Sequence, residues 1–393
     1  MNPSRPLLFV NAHLFGPVDD WQPGWLLTEG KRIKLMGHGQ PPQFPEGYLS
    51  QQIDASGLSL LPGFVDLHVH GAVGHELMDA SPDGLRDMAQ FYARHGVTAF
   101  LPTTWSASGE AIRRALDTVR QLLGPVPGGA TILGAHLEGP YLNPAKCGAQ
   151  DTRFIRRAER DEALALLDSG VVRLLALAPE FPENLWLIDE CARRGITASA
   201  AHTAATYEQM LAAVERGLRQ TTHTFNAMTG LDHREPGTVG AALALPQIVC
   251  ELIADTIHVH PAVIKILLDV KGPQRVILVT DAIRGAGLAD GEYKIDDRTL
   301  TVRDGAARLP DGTLAGSVLT MERALQNLIR VSGRPLRELW PAAGLNAARA
   351  IGLSATKGSL EAGKDADLVL LNGAMEVCMT VAEGEIVYRL GRW

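Results

Sequence analysis

The central part of the sequence alternates apolar, β-rich runs with helical stretches, and this repeat constrains the fold more than any other feature. Helical stretches such as 81–96 and 158–170 end in glycine, as helices often do. Eight runs have strand character: FVDLHVH, TAFLPTT, TILGAHLEG, VVRLLALAPE, TASAAHTA, TTHTFNAM, IVCELIADTIHV and RVILVTDAI. A doubly wound sheet usually has fewer strands and a glycine-rich phosphate turn after the first, which this sequence lacks. The pattern therefore predicts an α/β fold, a (β/α)8 TIM-type barrel.

Both ends of the chain have a different texture, with short apolar runs that glycine, proline and aspartate interrupt. Hairpin patterns occur at both ends, with turns at Glu29–Gly30 and at Glu383–Gly384. We therefore predict a small β-sandwich domain formed by both termini, residues 1–60 and 352–393. The barrel is predicted over residues 61–351.

Charge and composition narrow the classes of function. The net charge of −7 and the absence of any Lys/Arg cluster argue against nucleic acid or an anionic membrane as the main partner. The N-terminus lacks the features of a signal peptide, and no uninterrupted apolar stretch reaches the roughly 18 residues of a membrane span, so we expect a cytoplasmic protein. The four cysteines lie far apart with no CxxC pair, which indicates reduced thiols. A small-molecule substrate is the better expectation.

Residues that can bind metal or transfer protons occur at the ends of six predicted strands. In a barrel of this type the active site is built at the carboxyl ends of the strands. A single histidine at such a position is more often structural, but six strands that agree on one rim predict an active site. The residues are His68 and His70 on strand one, Glu138 on strand three, His202 on strand five, His223 on strand six, His258 after strand seven and Asp281 on strand eight.

The pair His68 and His70 points to a metal site. Side chains two apart on a strand face the same side, so both imidazoles project into the barrel mouth, with Asp66 one step further in. Imidazole and carboxylate ligands suit Zn(II), Fe(II), Mn(II) or Co(II). Four histidines and Glu138 exceed what one four-coordinate site with an open position needs, so a two-metal site bridged by Glu138 accommodates them.

Asp281 ends the apolar strand RVILVTD, where a carboxylate is unfavourable unless it has a partner. One interpretation is an aspartate that caps the following turn. Beside a metal-bound water, Asp281 could instead accept the proton of the attacking water and deliver it to a leaving nitrogen. The metal ring favours this catalytic interpretation.

This arrangement resembles the amidohydrolase superfamily and, within it, the family of N-acetylglucosamine-6-phosphate deacetylases. The resemblance covers nearly the whole chain and rests on LPGFVDLHVHG, GVTAFLPTTWSA, GAHLEGPYLNPAKCGAQD, HTFNAMTGLDHREPGTVGAAL, IADTIHVHP, LVTDAI and DGTLAGSVLTM. It implies metal-dependent hydrolysis of the acetamide of N-acetyl-D-glucosamine 6-phosphate to glucosamine 6-phosphate and acetate. Such a reaction belongs to amino-sugar catabolism or cell-wall recycling.

The resemblance also implies roles for individual residues. Glu138, His202 and His223 are expected to be metal ligands, and His68 and His70 to complete a second site. Two divalent cations per chain are then expected, zinc first, with iron, manganese or cobalt open. Asp281 is expected to be the acid/base. The expected contacts of the sugar phosphate are Ala149, Asn226, Ala227, Arg234, His258, Leu314, Ala315 and Gly316. The resemblance implies that a homodimer completes the phosphate site across its interface.

Several alternatives stay open at this stage. Many relatives have a histidine where this chain has Gln150, which leaves N-acetylgalactosamine 6-phosphate open as substrate. Cys147, in the same segment, is more readily an inert small residue than a redox-sensitive thiol. His136 is expected to support a ligand rather than bind metal. Another amidohydrolase, such as a dihydroorotase, is disfavoured because strand four has no lysine, and a metal-free assembly protein because the ligands are intact.

Overall fold

The computed structural model describes residues 6–49 and 51–391. Its amino-terminal strands are β1 (Leu7–Phe15), β2 (Asp20–Glu29), β3 (Arg32–His38), β4 (Gln51–Asp54) and β5 (Ser59–Pro62). The central strands are β6 (Phe64–Val69), β7 (Gly71–Ala72), β8 (His75–Glu76), β9 (Val97–Pro102), β10 (Thr131–Ile132), β11 (Ala135–Glu138), β12 (Val172–Leu177), β13 (Thr197–Ala200), β14 (Gln220–Thr221), β15 (Val249–Leu252) and β16 (Val276–Leu278). The later strands are β17 (Gly291–Ile295), β18 (Arg298–Arg303), β19 (Ala306–Arg308), β20 (Leu314–Ser317), β21 (Leu368–Leu371), β22 (Val377–Ala382) and β23 (Glu385–Arg389).

The α-helices lie mainly between the central strands. They are α1 (Pro82–Arg94), α2 (Gly109–Leu122), α3 (Arg160–Leu167), α4 (Pro182–Arg194), α5 (Tyr207–Arg216), α6 (Gly237–Ala244), α7 (Pro261–Lys271), α8 (Met321–Ser332), α9 (Leu336–Leu339) and α10 (Leu345–Ala350). Over the ranges that the structure covers, none of these helices combines the length and apolar character that a membrane crossing requires.

The parallel strands of the described chain close into the predicted barrel. Strand β6 pairs with β9, and β11 to β16 pair one after another in a parallel sheet. A bridge between Thr103 and His136 connects β9 to β11, and a bridge between Val69 and Ala282 joins the last strand to the first. The third predicted strand is interrupted near Gly134 and divides into β10 and β11. The prediction of a (β/α)8 barrel is confirmed.

Local sequence explains why the barrel helices form where they do. Helix α1 begins after Ser81, whose hydroxyl accepts the backbone N–H of Gly84, and proline occupies the first helical position. Buried residues such as Leu85 and Met88 recur at helical spacing on the face towards the barrel, and the helix ends just before Gly96, which has a positive φ. Truncating such a buried leucine to alanine costs about 2–5 kcal/mol.

The two ends of the chain form one sheet, as predicted. Its strand order is β23-β22-β21-β5-β1-β2-β3, with β4 beside β1, so the strands of the two termini join in one sheet where β21 pairs with β5. Leu26 of β2 and Met379 of β22, far apart in that order, lie in the same hydrophobic cluster. The sheet therefore folds over a core of its own, which is the predicted β-sandwich. The exact domain limits at residues 60 and 352 stay a prediction.

A four-stranded antiparallel sheet that the sequence analysis did not predict follows the last barrel strand. It consists of β17 to β20. Leu300 and Ala315 of this sheet pack with Trp105 and Ala149 from the barrel loops. Ser317 donates its backbone N–H to the carbonyl oxygen of Asp281 at 2.7 Å. The insertion therefore forms one wall at the carboxyl end of the barrel.

Candidate metal centre and active site

A cavity of about 470 Å³ opens at the carboxyl ends of the barrel strands. Most of the residues singled out from the sequence lie on its walls, namely His70, Glu138, Ala149, His202, His223, Asn226, Ala227, His258, Asp281, Leu314 and Gly316. His68 is fully buried behind this wall. Arg234 and Ala315 are not wall residues of the cavity.

Glu138, His202 and His223 form the first donor group. Glu138 Oε1 lies 3.2 Å from His202 Nε2 and 3.0 Å from His223 Nε2, and the two nitrogens are 3.2 Å apart. His202 donates its Nδ1 proton to the carbonyl oxygen of Lys146 at 2.8 Å, which leaves Nε2 free to bind a cation. Two imidazoles and one carboxylate fit a divalent cation.

His68, His70 and Asp281 form the second donor group. The two Nε2 atoms are 3.3 Å apart, and Asp281 Oδ1 lies 3.5 Å from that of His68 and 3.3 Å from that of His70. Glu138 Oε2 lies 3.6 Å and 3.3 Å from the same two nitrogens. One oxygen of Glu138 therefore faces each donor group, which is the arrangement of a bridging ligand.

The electrostatics of the second donor group call for positive charge at its centre. Burial alone raises the pKa of Asp281, but the histidines His68 and His70 outweigh it and lower this pKa to about 2. Burial alone lowers the pKa of His68, yet Glu138 and Asp281 raise it well above the ordinary value. The buried Asp281 Oδ1 has no hydrogen-bond partner among the described residues. A divalent cation fits this environment, since it satisfies the oxygen and replaces the proton.

The backbone is strained where the strands end. His202, His223 and Asp281 have φ values of 43°, 32° and 50°, in the left-handed region that residues other than glycine rarely adopt. Each such residue costs on the order of 1–3 kcal/mol, and such strain concentrates at functional sites. All three side chains line the cavity. The left-handed turns also end strand β14 at Thr221, so the predicted sixth strand, 221–228, is wrong over most of its length.

Gln150 supports Glu138. Its Nε2 donates to Glu138 Oε2 at 2.7 Å, and its Oε1 accepts the backbone N–H of Ser106 at 2.7 Å. With both ends of its amide engaged and only 2% of its surface exposed, Gln150 is not a wall residue of the cavity. Gln150 thus contacts a candidate metal ligand in this structure.

His136 and Cys147 have modest roles in this geometry. His136 donates Nδ1–H to the carbonyl oxygen of Leu67 at 3.2 Å, and its ring packs edge-on against His68. Burial, followed by the charge of His68, lowers the pKa of His136 well below its ordinary value, so its ring is neutral. Cys147 is a free, partly buried thiol on the cavity wall.

Several site residues escaped the sequence analysis. Trp105 stacks on the ring of His70, with centroids 3.7 Å apart and an angle of 12° between the planes. Trp105 lies just after β9, the second barrel strand, and residues at the carboxyl ends of barrel strands are expected to face the active site, so its position was a usable signal. Lys146, Asp311 and Thr313 also line the cavity.

The two predicted phosphate ligands differ in placement. The His258 side chain is 5% exposed and lines the cavity, and its Nδ1 donates to Asp255 Oδ2 at 2.6 Å. Arg234 lies on an exposed loop. Its guanidinium has no hydrogen bond or ion pair with any residue that the structure describes.

A (β/α)8 barrel with these two buried groups of histidines and carboxylates defines a metal-dependent hydrolase framework. The sequence model of the amidohydrolase family matches residues 59–387, and the chain belongs to this family. It is 35% identical over 337 residues to an N-acetylglucosamine-6-phosphate deacetylase of Lysinibacillus sphaericus, covering 85% of this chain and 87% of that one. It is 37% identical to an N-acetylgalactosamine-6-phosphate deacetylase of Escherichia coli O157:H7, covering 83% and 87%.

A solved structure gives the same result for the fold. A mutant N-acetyl-D-glucosamine-6-phosphate deacetylase from Mycobacterium smegmatis, in complex with N-acetyl-D-glucosamine-6-phosphate, superposes with a TM-score of 0.89. The two sequences are 32% identical, and the match covers 98% of this chain and all (100%) of the other.

Proposed function

We propose that this protein hydrolyses the acetamide of N-acetyl-D-glucosamine 6-phosphate to glucosamine 6-phosphate and acetate. The observation that carries the proposal is the pair of donor groups joined by Glu138, with Asp281 on the wall of the same cavity as most of the predicted sugar-binding residues. Relatives that match most of the chain are named as deacetylases of this class. The donor set is complete, which argues against a metal-free assembly protein on the same fold.

The proposed centre holds two divalent cations, one in each donor group. The nitrogen and oxygen ligands suit zinc, and also Fe(II), Mn(II) or Co(II). When bound, such cations polarise a carbonyl group and lower the pKa of water, which makes water a nucleophile at neutral pH. Glu138 and Gln150 hold the geometry between the groups, because Gln150 fixes one of the two Glu138 oxygens.

Asp281 performs the proton transfer in this proposal. Its carboxylate accepts a proton from the attacking water and donates it to the amide nitrogen as the C–N bond breaks and the new C–O bond forms. Its backbone is fixed on both sides, since its N–H donates to the carbonyl oxygen of His68 at 2.9 Å and its carbonyl oxygen accepts from Ser317. The charges of His68 and His70 lower the pKa of Asp281, so its carboxylate is ionised at neutral pH.

The sugar phosphate is proposed to bind along the cavity wall. Asn226 and Ala227 follow strand β14, and Ala149 lies on the loop after strand β11. Leu314 and Gly316 lie on the inserted sheet, in β20. His258 contacts the phosphate from within the chain. Arg234 is exposed and is not a wall residue of its own cavity, which favours a role in a second copy of the chain, within a homodimer.

A second candidate substrate is N-acetylgalactosamine 6-phosphate. The relative named as a deacetylase of that sugar is 37% identical, so identity does not discriminate between the two epimers. Because Gln150 contacts Glu138 rather than lining the cavity, it is not the residue that selects the epimer in this proposal.

Acetate release decides among these substrates. The assay compares N-acetylglucosamine, N-acetylgalactosamine and N-acetylmannosamine, each with and without the 6-phosphate. We expect the highest kcat/KM for N-acetylglucosamine 6-phosphate and poor turnover of all unphosphorylated sugars. Higher kcat/KM for the galactose epimer selects the second candidate. No acetate from any phosphorylated sugar by the metal-loaded protein contradicts the proposed function.

A further inference from the structure

A buried carboxylate lies behind the second donor group. Glu251, in β15, has 0% of its surface exposed and is not a wall residue of the cavity. Its Oε2 lies 3.3 Å from His68 Nδ1 and accepts the backbone N–H of His223 at 3.2 Å. Its Oε1 accepts from the amide of Gln220. Glu251 therefore contacts one residue of each donor group without facing the cavity.

This contact fixes which nitrogen of His68 is free. A carboxylate oxygen accepts hydrogen bonds, so the contact with Glu251 keeps a proton on His68 Nδ1 and leaves Nε2 as the nitrogen that can give up its proton to a cation. Nε2 is the atom that lies close to His70, Asp281 and Glu138. A carboxylate that accepts this proton also makes the imidazole a stronger ligand.

His70 is held in a different way. Its Nδ1 has no hydrogen-bond partner among the described residues, and its ring is positioned by the stack on Trp105. Of the two histidines in the second donor group, His68 alone has a carboxylate on its distal nitrogen in this part of the structure.

We propose that Glu251 is a positioning residue for the second cation: it orients His68 and fixes its tautomer, so that Nε2 binds the ion. This inference rests on the proposed metal centre and names a residue on which its second ion depends. The first donor group keeps its three ligands, because Glu251 reaches it only through the backbone of His223. Loss of the Glu251 carboxylate therefore weakens the second ion selectively.

The test compares the parent with Glu251→Gln, which keeps the shape of the side chain and creates no cavity. Both proteins are stripped with a chelator and dialysed against buffered free zinc, and bound zinc is counted. We expect two ions in the parent, and in Glu251→Gln an unchanged first ion with a second bound about 10- to 100-fold more weakly. A cadmium-113 NMR spectrum of the cadmium-loaded proteins should show two signals in the parent and one shifted or lost in the variant.

A matched control is Asp367→Asn, which also replaces a buried carboxylate by an amide. Asp367 pairs with Lys357 in the β-sandwich, away from the barrel mouth. We expect this variant to bind two ions with parental affinity and to give the parental cadmium spectrum. Equal weakening in both variants would assign Glu251 a merely structural role and overturn the inference.

Other results of the same experiment also decide whether Glu251 positions His68 for the second ion. Parental affinity and spectrum in Glu251→Gln overturn the inference. A third zinc ion in the parent overturns it as well, because it would place a cation among His68, His136 and Glu251, whose ligand atoms also lie close together. A parent that binds one ion and still releases acetate overturns this inference but not the proposed function. A parent that binds two ions and releases no acetate contradicts the function, and the zinc count still decides the role of Glu251.

Discussion

The two donor groups share Glu138 but are supported differently. In the first, His202 and His223 stand on left-handed turns, and a main-chain carbonyl fixes the His202 ring. In the second, His68 stands on the regular strand β6 and has a buried carboxylate behind it. The first group has Glu138 as its own carboxylate, whereas the second uses the other Glu138 oxygen and Asp281, which is also the proposed proton carrier. The proposed second ion would therefore depend on more of its surroundings than the proposed first ion.

The largest effect is expected where the two groups meet. Glu138→Gln keeps the size of the side chain but removes the negative charge that both groups face. We expect the first ion to be lost and the second to be bound more weakly, because His68, His70 and Asp281 remain, and kcat/KM to fall by more than about 10³-fold, since the metal contribution amounts to several kcal/mol. Metal analysis together with acetate release measures both effects, and Asp367→Asn is the control. A variant that keeps two ions would show that Glu138 is not the shared ligand.

Asp281 tests whether the second group carries the proton transfer as well as an ion. Asp281→Asn should lower kcat by about 10²–10⁴-fold or more, because general acid/base catalysis is worth that much and any role as a ligand adds to it. Substrate affinity should change little, and the first ion should remain. If the variant keeps more than about a tenth of the parental kcat, Asp281 is not the acid/base.

Strand-end residues made much of this site predictable from the sequence. A histidine or carboxylate at the carboxyl end of a barrel strand faces the cavity by geometry alone. This rule predicted that Glu138 and Asp281 line the same cavity, as they do. The left-handed turns could not be predicted, because they occur at residues other than glycine. They follow from the tertiary structure rather than from local preference.

Other features left signals that the sequence analysis did not use. Asp304–Gly305 connects β18 to β19 with two positive φ values, and an Asp-Gly pair is a strong hairpin signal. Glu251 is a single acidic residue inside an otherwise apolar strand, which indicates a buried partner. Arg234 lies on an exposed loop, and in the proposed function its partner is in another chain, which no local pattern encodes.

Arg234 provides a change outside both donor groups. Arg234→Ala should leave both ions in place but lower kcat/KM for the 6-phosphate by about 10- to 150-fold, since a charge-assisted hydrogen bond is worth about 1.5–3 kcal/mol. Turnover of the unphosphorylated sugar should stay nearly unchanged. Arg234→Lys should rescue only in part, because a point charge lacks the planar fork. Equal slowing of both sugars would make Arg234 structural.

The pH dependence of metal binding should separate the two groups. Because the pKa values of His68 and His70 are raised, these imidazoles bind their protons more tightly in the metal-free protein. A cation must displace these protons in order to bind. Below the raised pKa of one such histidine, each unit of falling pH should weaken the second ion by up to about tenfold. Zinc counts by dialysis between pH 8 and pH 5 should show the second ion leaving first. Loss of both ions at the same pH would remove the distinction between the groups.

The smallest expected effect is the loss of one of two bound ions, and it tests most directly whether the two donor groups bind metal separately. His68→Ala with His70→Ala removes two ligands of the second group and none of the first. Because Glu138, His202 and His223 remain as three ligands, they can still hold a cation with an open position. Bound zinc should therefore fall from about two ions per chain to about one, as metal analysis after dialysis against buffered zinc would show.

The matched control is the double variant His202→Ala with His223→Ala. It leaves the second group its two imidazoles, Asp281 and Glu138, and it too should keep about one ion if the groups are independent. If that second variant instead binds none, the second ion requires the first, and the two groups fill in a fixed order.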